Sequence, residues 1–204
     1  MATFTMKIHH DTLPHMLAII TLLLCCHSAS AQGIYTPGRE FVYGVVYVNG
    51  NDTTRSFISL QAIDSVWEFD NSQRVLRYNR GPLDGVMETT GYIENEKTVW
   101  LHPPRSGYFA ILEYFPFPEV ALPIKCKRSY SRWFIGHIDF LDHFAILRYR
   151  MHIECHGDTT IITARSQSGR WKATYCFTPT EGFTNMEFSF DNTTLIMTLI
   201  EICE

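Results

Sequence analysis

Residues 144–156 read FAILRYRMHIECH. The odd positions are Ala145, Leu147, Tyr149, Met151, Ile153 and Cys155. From position 148 the even ones are Arg148, Arg150, His152, Glu154 and His156. Successive side chains of a strand point to opposite faces, so this alternation describes a strand with one buried face and one wet face.

The pattern extends outward from this segment. Trp171, Ala173, Tyr175 and Phe177 share one face, with Arg170, Lys172 and Thr174 on the other. Met186, Phe188 and Phe190 fall together. Residues 193–202 are apolar on both faces, as in a strand covered on both sides. Turn dipeptides Gly157-Asp158, Ser168-Gly169 and Asp191-Asn192 separate these runs. The spacing predicts a meander of strands at about 144–156, 159–167, 170–178, 183–190 and 193–202.

Towards the N-terminus, Asn49-Gly50 is a strong hairpin signal. Further breaks fall at Asp70-Asn71, Gly81-Pro82, Asp84-Gly85 and Glu94-Asn95. Strands are expected near 40–49, 53–63, 73–79, 86–94, 97–102 and 107–115. The expected class is all-β: an antiparallel meander forming a curved open sheet or half-barrel, covered by a long loop or short helix. A closed barrel gives the same alternation. No linker divides residues 32–204, which read as a single β-rich domain.

One segment departs from the pattern. Residues 115–143 contain Pro116, Pro118 and Pro123, which cannot donate to a central ladder. Its apolar residues Phe115, Phe117, Val120, Leu122 and Ile124 precede the basic run Lys125, Lys127, Arg128 and Arg132, with Tyr130 and Trp133 interleaved. It reads as a long loop with a short helix near 135–143, folded over the sheet or its open end. Its basic-aromatic part is suited to an anion, a lipid headgroup or a glycan.

Composition narrows the classes. The chain has 204 residues, 46% of them apolar and 14% aromatic, a globular balance. Lys and Arg number 17 against 21 Asp and Glu, a formal charge of −4. That charge leaves no overall nucleic-acid footprint. The run MLAIITLLLCC at 16–26 has about half the ~20 residues needed to cross a bilayer, and Ala29-Ser30-Ala31 follows it. This is the order of a secretory signal peptide over 1–31, placing residues 32–204 in the periplasm or cell envelope. A lipid anchor on Cys25 or Cys26 is the alternative, but Leu24 and Cys25 stand where such sites favour a small residue. No later apolar run is long enough for a transmembrane helix.

Catalytic motifs are missing: there is no Gly-x-Ser-x-Gly, Cys-x-x-Cys or His-Glu-x-x-His. No cofactor-binding pattern is present. His137, Asp139, Asp142 and His143 are dense in possible ligands but lack a zinc spacing. They supply an alternative reading as a metal-assisted hydrolase. His152 and His156 lie roughly 13 Å apart if their strand is straight. Cys126, Cys155, Cys176 and Cys203 allow three complete pairings, of which a bond from Cys126 to Cys176 or Cys203 is the easier geometry, and four reduced, buried thiols are the equal alternative. Asn51-Asp52-Thr53 and Asn192-Thr193-Thr194 are sequons in expected turns, relevant only in a eukaryotic secretory host.

The stretches Gly91-Tyr92-Ile93-Glu94-Asn95, Trp100-Leu101-His102-Pro103-Pro104-Arg105 and Leu112–Pro118, with SQSGRWKA at 166–173 and Glu181-Gly182-Phe183 before Met186, carry a resemblance. They resemble uncharacterised secreted or lipid-anchored β-rich proteins of Gram-negative envelopes. The meander is also similar to the half-barrels of periplasmic lipoprotein carriers. That likeness implies a concave apolar face holding an acyl chain under a loop.

The expected function is therefore non-catalytic binding of a lipid or other amphipathic ligand, or association with an envelope protein. Trp100, Phe115, Phe117, Val120, Leu122 and Trp133 are the expected contacts. A structural module that docks a partner through the loop is the remaining alternative.

Overall fold

The computed structural model describes residues 33–79, 87–138 and 143–204, with the backbone alone at 134–138 and 143–146. The expected leader at 1–31, Cys25 and Cys26, the turns at 81–85, and Asp139 and Asp142 lie outside the described residues. So do the side chains of His137 and His143.

The first half of the chain supplies β1 (Glu40–Asn49), β2 (Asp52–Trp67), β3 (Asp70–Asn79), β4 (Met87–Glu94) and β5 (Thr98–Leu101). A 3-10 helix over Gly107–Tyr114 and the short β6 (Glu119–Ala121) follow. The second half supplies β7 (Arg128–Ile138), β8 (His143–His156), β9 (Thr159–Ser166), β10 (Trp171–Thr178), β11 (Gly182–Phe190) and β12 (Thr193–Cys203). They form one antiparallel sheet in the order β6-β5-β4-β3-β2-β1-β12-β11-β10-β9-β8-β7. β6 and β7 are its two edges, so the sheet is curved and open.

Each half is a meander of neighbours in sequence. The halves meet where β1 lies against β12, from Glu40 opposite Cys203 to Asn49 opposite Thr193. The expected strands of the second meander agree with β8 to β12 within a residue or two. Asn49-Gly50 does turn β1 into β2, with Asn49 opposite Asp52.

Two segments depart from the sequence reading. Residues 107–115 are not a strand. Phe109 and Leu112, both with no exposed area, recur every third residue, the period of a 3-10 turn rather than of a strand. Pro103 and Pro104 stop the ladder ahead of them, and Gly107 turns the chain away at φ +61°. The second departure is β7. Residues 128–138 are a full strand, from Arg128 opposite Ile153 to Ile138 opposite His143. The chain past Pro123 regains every ladder donor, and the regular face of β8 is there to receive it. No helix occupies 135–138. The prolines confine the loop character to 102–118 and 122–127, and β6 between them is a three-residue edge.

The pairing of β7 with β8 also settles the cysteines. Cys126, two positions beyond Arg128 in the same register, bonds to Cys155 with Cα atoms 5.5 Å apart. It does not bond to Cys176 or Cys203, which remain thiols.

The concave face of the sheet is filled. Phe41, Tyr43, Ile58, Leu60, Leu76, Tyr149, Ala173, Tyr175, Phe188 and Leu195 are all essentially inaccessible on it. The segment 102–118 lies across this face and supplies Phe109, Leu112, Tyr114 and Phe115 to the same core. Phe115 meets Trp171 and Phe188 edge-on at 5.5 and 5.4 Å. Tyr108 stacks on Tyr47 at 5.5 Å.

Hydroxyls rising from the sheet satisfy the backbone of that segment. Tyr149 donates to the Tyr114 carbonyl at 2.5 Å, and Tyr175 donates to the Pro116 carbonyl. Tyr78 and Thr90 both donate to the His102 carbonyl, at 3.1 and 2.8 Å. Glu88 accepts from the Arg105 amide at 2.8 Å and the Ser106 hydroxyl at 2.6 Å. Irregular backbone cannot be buried unsatisfied, so a tyrosine-rich floor is what allows a non-helical strap to sit in the core. Burial drives the phenols of Tyr78, Tyr149 and Tyr175 upward, so each remains a donor at ordinary pH.

Candidate functional site

The filled concavity moves attention to the outer face. Trp100 and His102 alternate with the inward Val99 and Leu101, so both point away from the core. Phe117 comes beside them because Leu101 donates its amide to the Pro118 carbonyl at 3.0 Å, which draws 117–118 along the edge of β5. The Phe117 ring lies 5.3 Å from Trp100 and 4.8 Å from His102. Trp67, at the end of β2, completes the group 5.5 Å from His102 and carries Phe69 at 5.3 Å. The register slips twice between Ile63 and Trp67, and such bulges redirect the side chains that follow.

Gly91 is the floor of this cluster. A Cβ there would come within 1.9 Å of Gln73 Oε1 and 2.9 Å of Trp67 Cε3, so any side chain would lift the indole away. Gln73 is held from the other side, its Nε2 donating to Asp70 at 2.8 Å. Its Oε1 is buried and has no donor among the described residues.

The result is an aromatic shelf with a charged rim. Phe69 is 77% exposed, whereas Trp67, Trp100 and Phe117 are half-buried. The Arg105 guanidinium stands over the Phe117 ring at 4.9 Å, a cation–π arrangement. Burial, reinforced by nearby Arg105, pushes the His102 imidazole down to about 4. His102 is therefore neutral at pH 7 and joins the shelf as a ring rather than as a cation. A planar apolar body with one cation at its edge is suited to the apolar part of a ligand whose polar end faces Arg105.

The depressed His102 has a consequence for stability. Its folded value lies below the ordinary imidazole value of 6.5, so between them the unfolded chain binds more protons. Stability from this group is complete above about pH 6.5 and is lost as the pH falls towards about 4. Because the ring is partly hydrated, the expected loss is about 2 kcal/mol, below the ~3 kcal/mol that full burial of such a shift would carry. Urea unfolding of wild type and His102→Gln across this range should show a shallower acid limb in the variant. Parallel limbs would remove His102 as its source.

Of the expected contacts, Trp100 and Phe117 are brought together. Phe115 and Val120 are not available: they are 0% and 3% exposed and belong to the core. Leu122 is partly buried and packs against that core. Trp133 lies on β7, in the other half of the sheet, and is 62% exposed. Sequence reasoning missed Trp67, Phe69 and Arg105. Trp67 ends β2 and Phe69 sits in the turn that follows, and only the bulges bring Trp67 to His102. The Pro103-Pro104 break before Arg105 was legible, but not the direction in which it sends the chain.

No family model and no curated protein matches this chain.

Proposed function

We infer that this chain is a non-catalytic, extracytoplasmic binding protein of the cell envelope, taking an apolar or amphipathic ligand on its outer aromatic shelf. The single observation that carries the reading is the open cluster of Trp67, Phe69, Trp100 and Phe117 with Arg105 at its rim. Rings enclosed in the core need no further explanation, but a half-buried group of this size, open to solvent at Phe69 and set beside a cation, fits a ligand surface. The Cys126–Cys155 bond supports an oxidising compartment. The ligand lies on the shelf rather than in the concavity, because the 102–118 strap already occupies that face.

A neutral alkyl glucoside, kept below its micellar concentration, is the probe. Calorimetric titration of the disulfide-intact chain should give saturable binding. The Trp100→Ala/Phe117→Ala pair should weaken it roughly tenfold or more, the loss of one to two apolar side-chain contacts. Undetectable binding, or equal affinity in the variant, would reject this function.

A further inference from the structure

A second feature of the outer face lies on β7 to β10, in the half of the sheet that the shelf does not use. Arg150 stands directly opposite Ser131 on one side and Arg165 on the other. Arg165 in turn stands opposite Lys172. Three cations thus occupy one row across three neighbouring strands. Arg148 is one step along the same face of β8, opposite Trp133.

Like charges directly opposite each other destabilise a sheet. Proteins usually relieve this with interleaved carboxylates, but among the described residues none stands in this row. Among the described residues, none of Arg148, Arg150, Arg165 and Lys172 forms an ion pair. The acidic residues nearby are engaged or displaced. Glu154 sits two positions along β8 from His152 and His156 and contacts both, at 2.9 and 3.6 Å. Asp191 is held by Arg170, with Nε donating at 3.0 Å. Glu187 lies diagonal to Lys172 and accepts from Ser189 at 3.5 Å. The protein as a whole is acidic, so this row is a local concentration rather than a general excess.

The row also has a shape. Arg148, Arg150 and Arg165 line an open cleft of about 470 Å³, walled by Ser131, Ser168 and Gly169. Hydroxyl donors therefore stand among the guanidiniums. Arg148 reaches Ser131 Oγ at 3.4 Å and lies over the exposed Trp133 ring at 5.3 Å. Guanidiniums present paired N–H groups that match the non-bridging oxygens of a tetrahedral phosphate, and several of them around one cleft suit a phosphate ester better than a planar carboxylate.

We propose that this cleft binds a phosphate ester group, held by Arg148, Arg150 and Arg165 with Ser131 and Ser168 as hydroxyl partners. Trp133 covers the adjoining organic part. The proposal does not depend on the aromatic shelf, whose probe is uncharged.

The test uses the full disulfide-intact chain at low salt, with glycerol 3-phosphate as soluble probe and phosphatidylglycerol vesicles as membrane probe. Glycerate and phosphatidylcholine vesicles are the controls. Arg150→Gln/Arg165→Gln should weaken the phosphate ligand by roughly tenfold or more, as expected for loss of charge-assisted bonds. The same variant should melt no lower than wild type without ligand, because removing opposed like charges relieves the sheet. Binding of glycerol 3-phosphate identifies a soluble phosphoester ligand. Binding of phosphatidylglycerol vesicles alone identifies a lipid headgroup. Either result supports the cleft if the variant loses it. No phosphate-dependent binding, glycerate bound as tightly as the phosphate, or unchanged binding in a folded variant would overturn the proposal.

Discussion

Phe115→Ala is expected to lower the unfolding free energy by about 4 kcal/mol, the range for a fully enclosed phenylalanine cut to a methyl. The ring has no exposed area and meets both Trp171 and Phe188 edge-on. Its removal leaves a cavity whose walls cannot close easily. On one side is sheet; on the other is a strap whose carbonyls at 114 and 116 are tied to Tyr149 and Tyr175. Phe117→Ala, two residues on, removes a half-buried ring from the outer face and should cost under ~2 kcal/mol. Urea denaturation of the two variants checks this. Equal losses would mean that the strap is not seated in the core as described.

The second large effect concerns the Cys126–Cys155 bond. It closes a separation of 29 residues, for which the chain-entropy relation gives about 3.5 kcal/mol of stabilisation. The bond fastens the start of β7, an edge strand with one neighbour, to the end of β8. Cys126→Ser/Cys155→Ser should therefore lower the urea midpoint, and reductant should lower wild type to match it. The corresponding Cys176→Ser/Cys203→Ser pair, which removes only thiols, should unfold close to wild type. A midpoint in Cys126→Ser/Cys155→Ser equal to wild type under oxidising conditions would remove this bond as a source of stability.

The fold was legible where one face is buried and the other wet. β8, β10 and β11 each declare themselves by alternation, and Asn49-Gly50 marks the turn that reverses β1 into β2. It was not legible where a segment is enclosed by tertiary partners. Residues 107–115 are apolar enough for a strand, and only the three-residue recurrence of Phe109, Leu112 and Phe115 separates them from one. β7 was hidden behind three prolines, although its own residues 128–138 contain none. Missing β7 also hid the disulfide, because Cys126 faces Cys155 only once that register is known.

Half of the aromatic shelf was readable. Trp100 and His102 share a strand face on simple parity, whereas Trp67 reaches them through two bulges that no local pattern predicts. Part of the basic row was visible strand by strand, as Arg148 and Arg150 on one strand and Lys172 on another, whereas Arg165 drew no notice. Its significance depends on which strands are neighbours and in what register.

The seam between β1 and β12 has a consequence for how the chain is made. The chain emerges N-terminus first, so β1 to β6 are free to pair while the partner of β1 is still absent. Until β12 emerges, Phe41, Tyr43 and Val45 belong to an open sheet margin, the kind of edge that recruits a foreign strand. The last ladder to close is thus the one between the most distant parts of the chain, and loop-closure entropy makes such pairing slow. Truncation within 193–203 should trap this half-assembled sheet. A holdase chaperone would be needed longest at the seam rather than at the permanent edges β6 and β7.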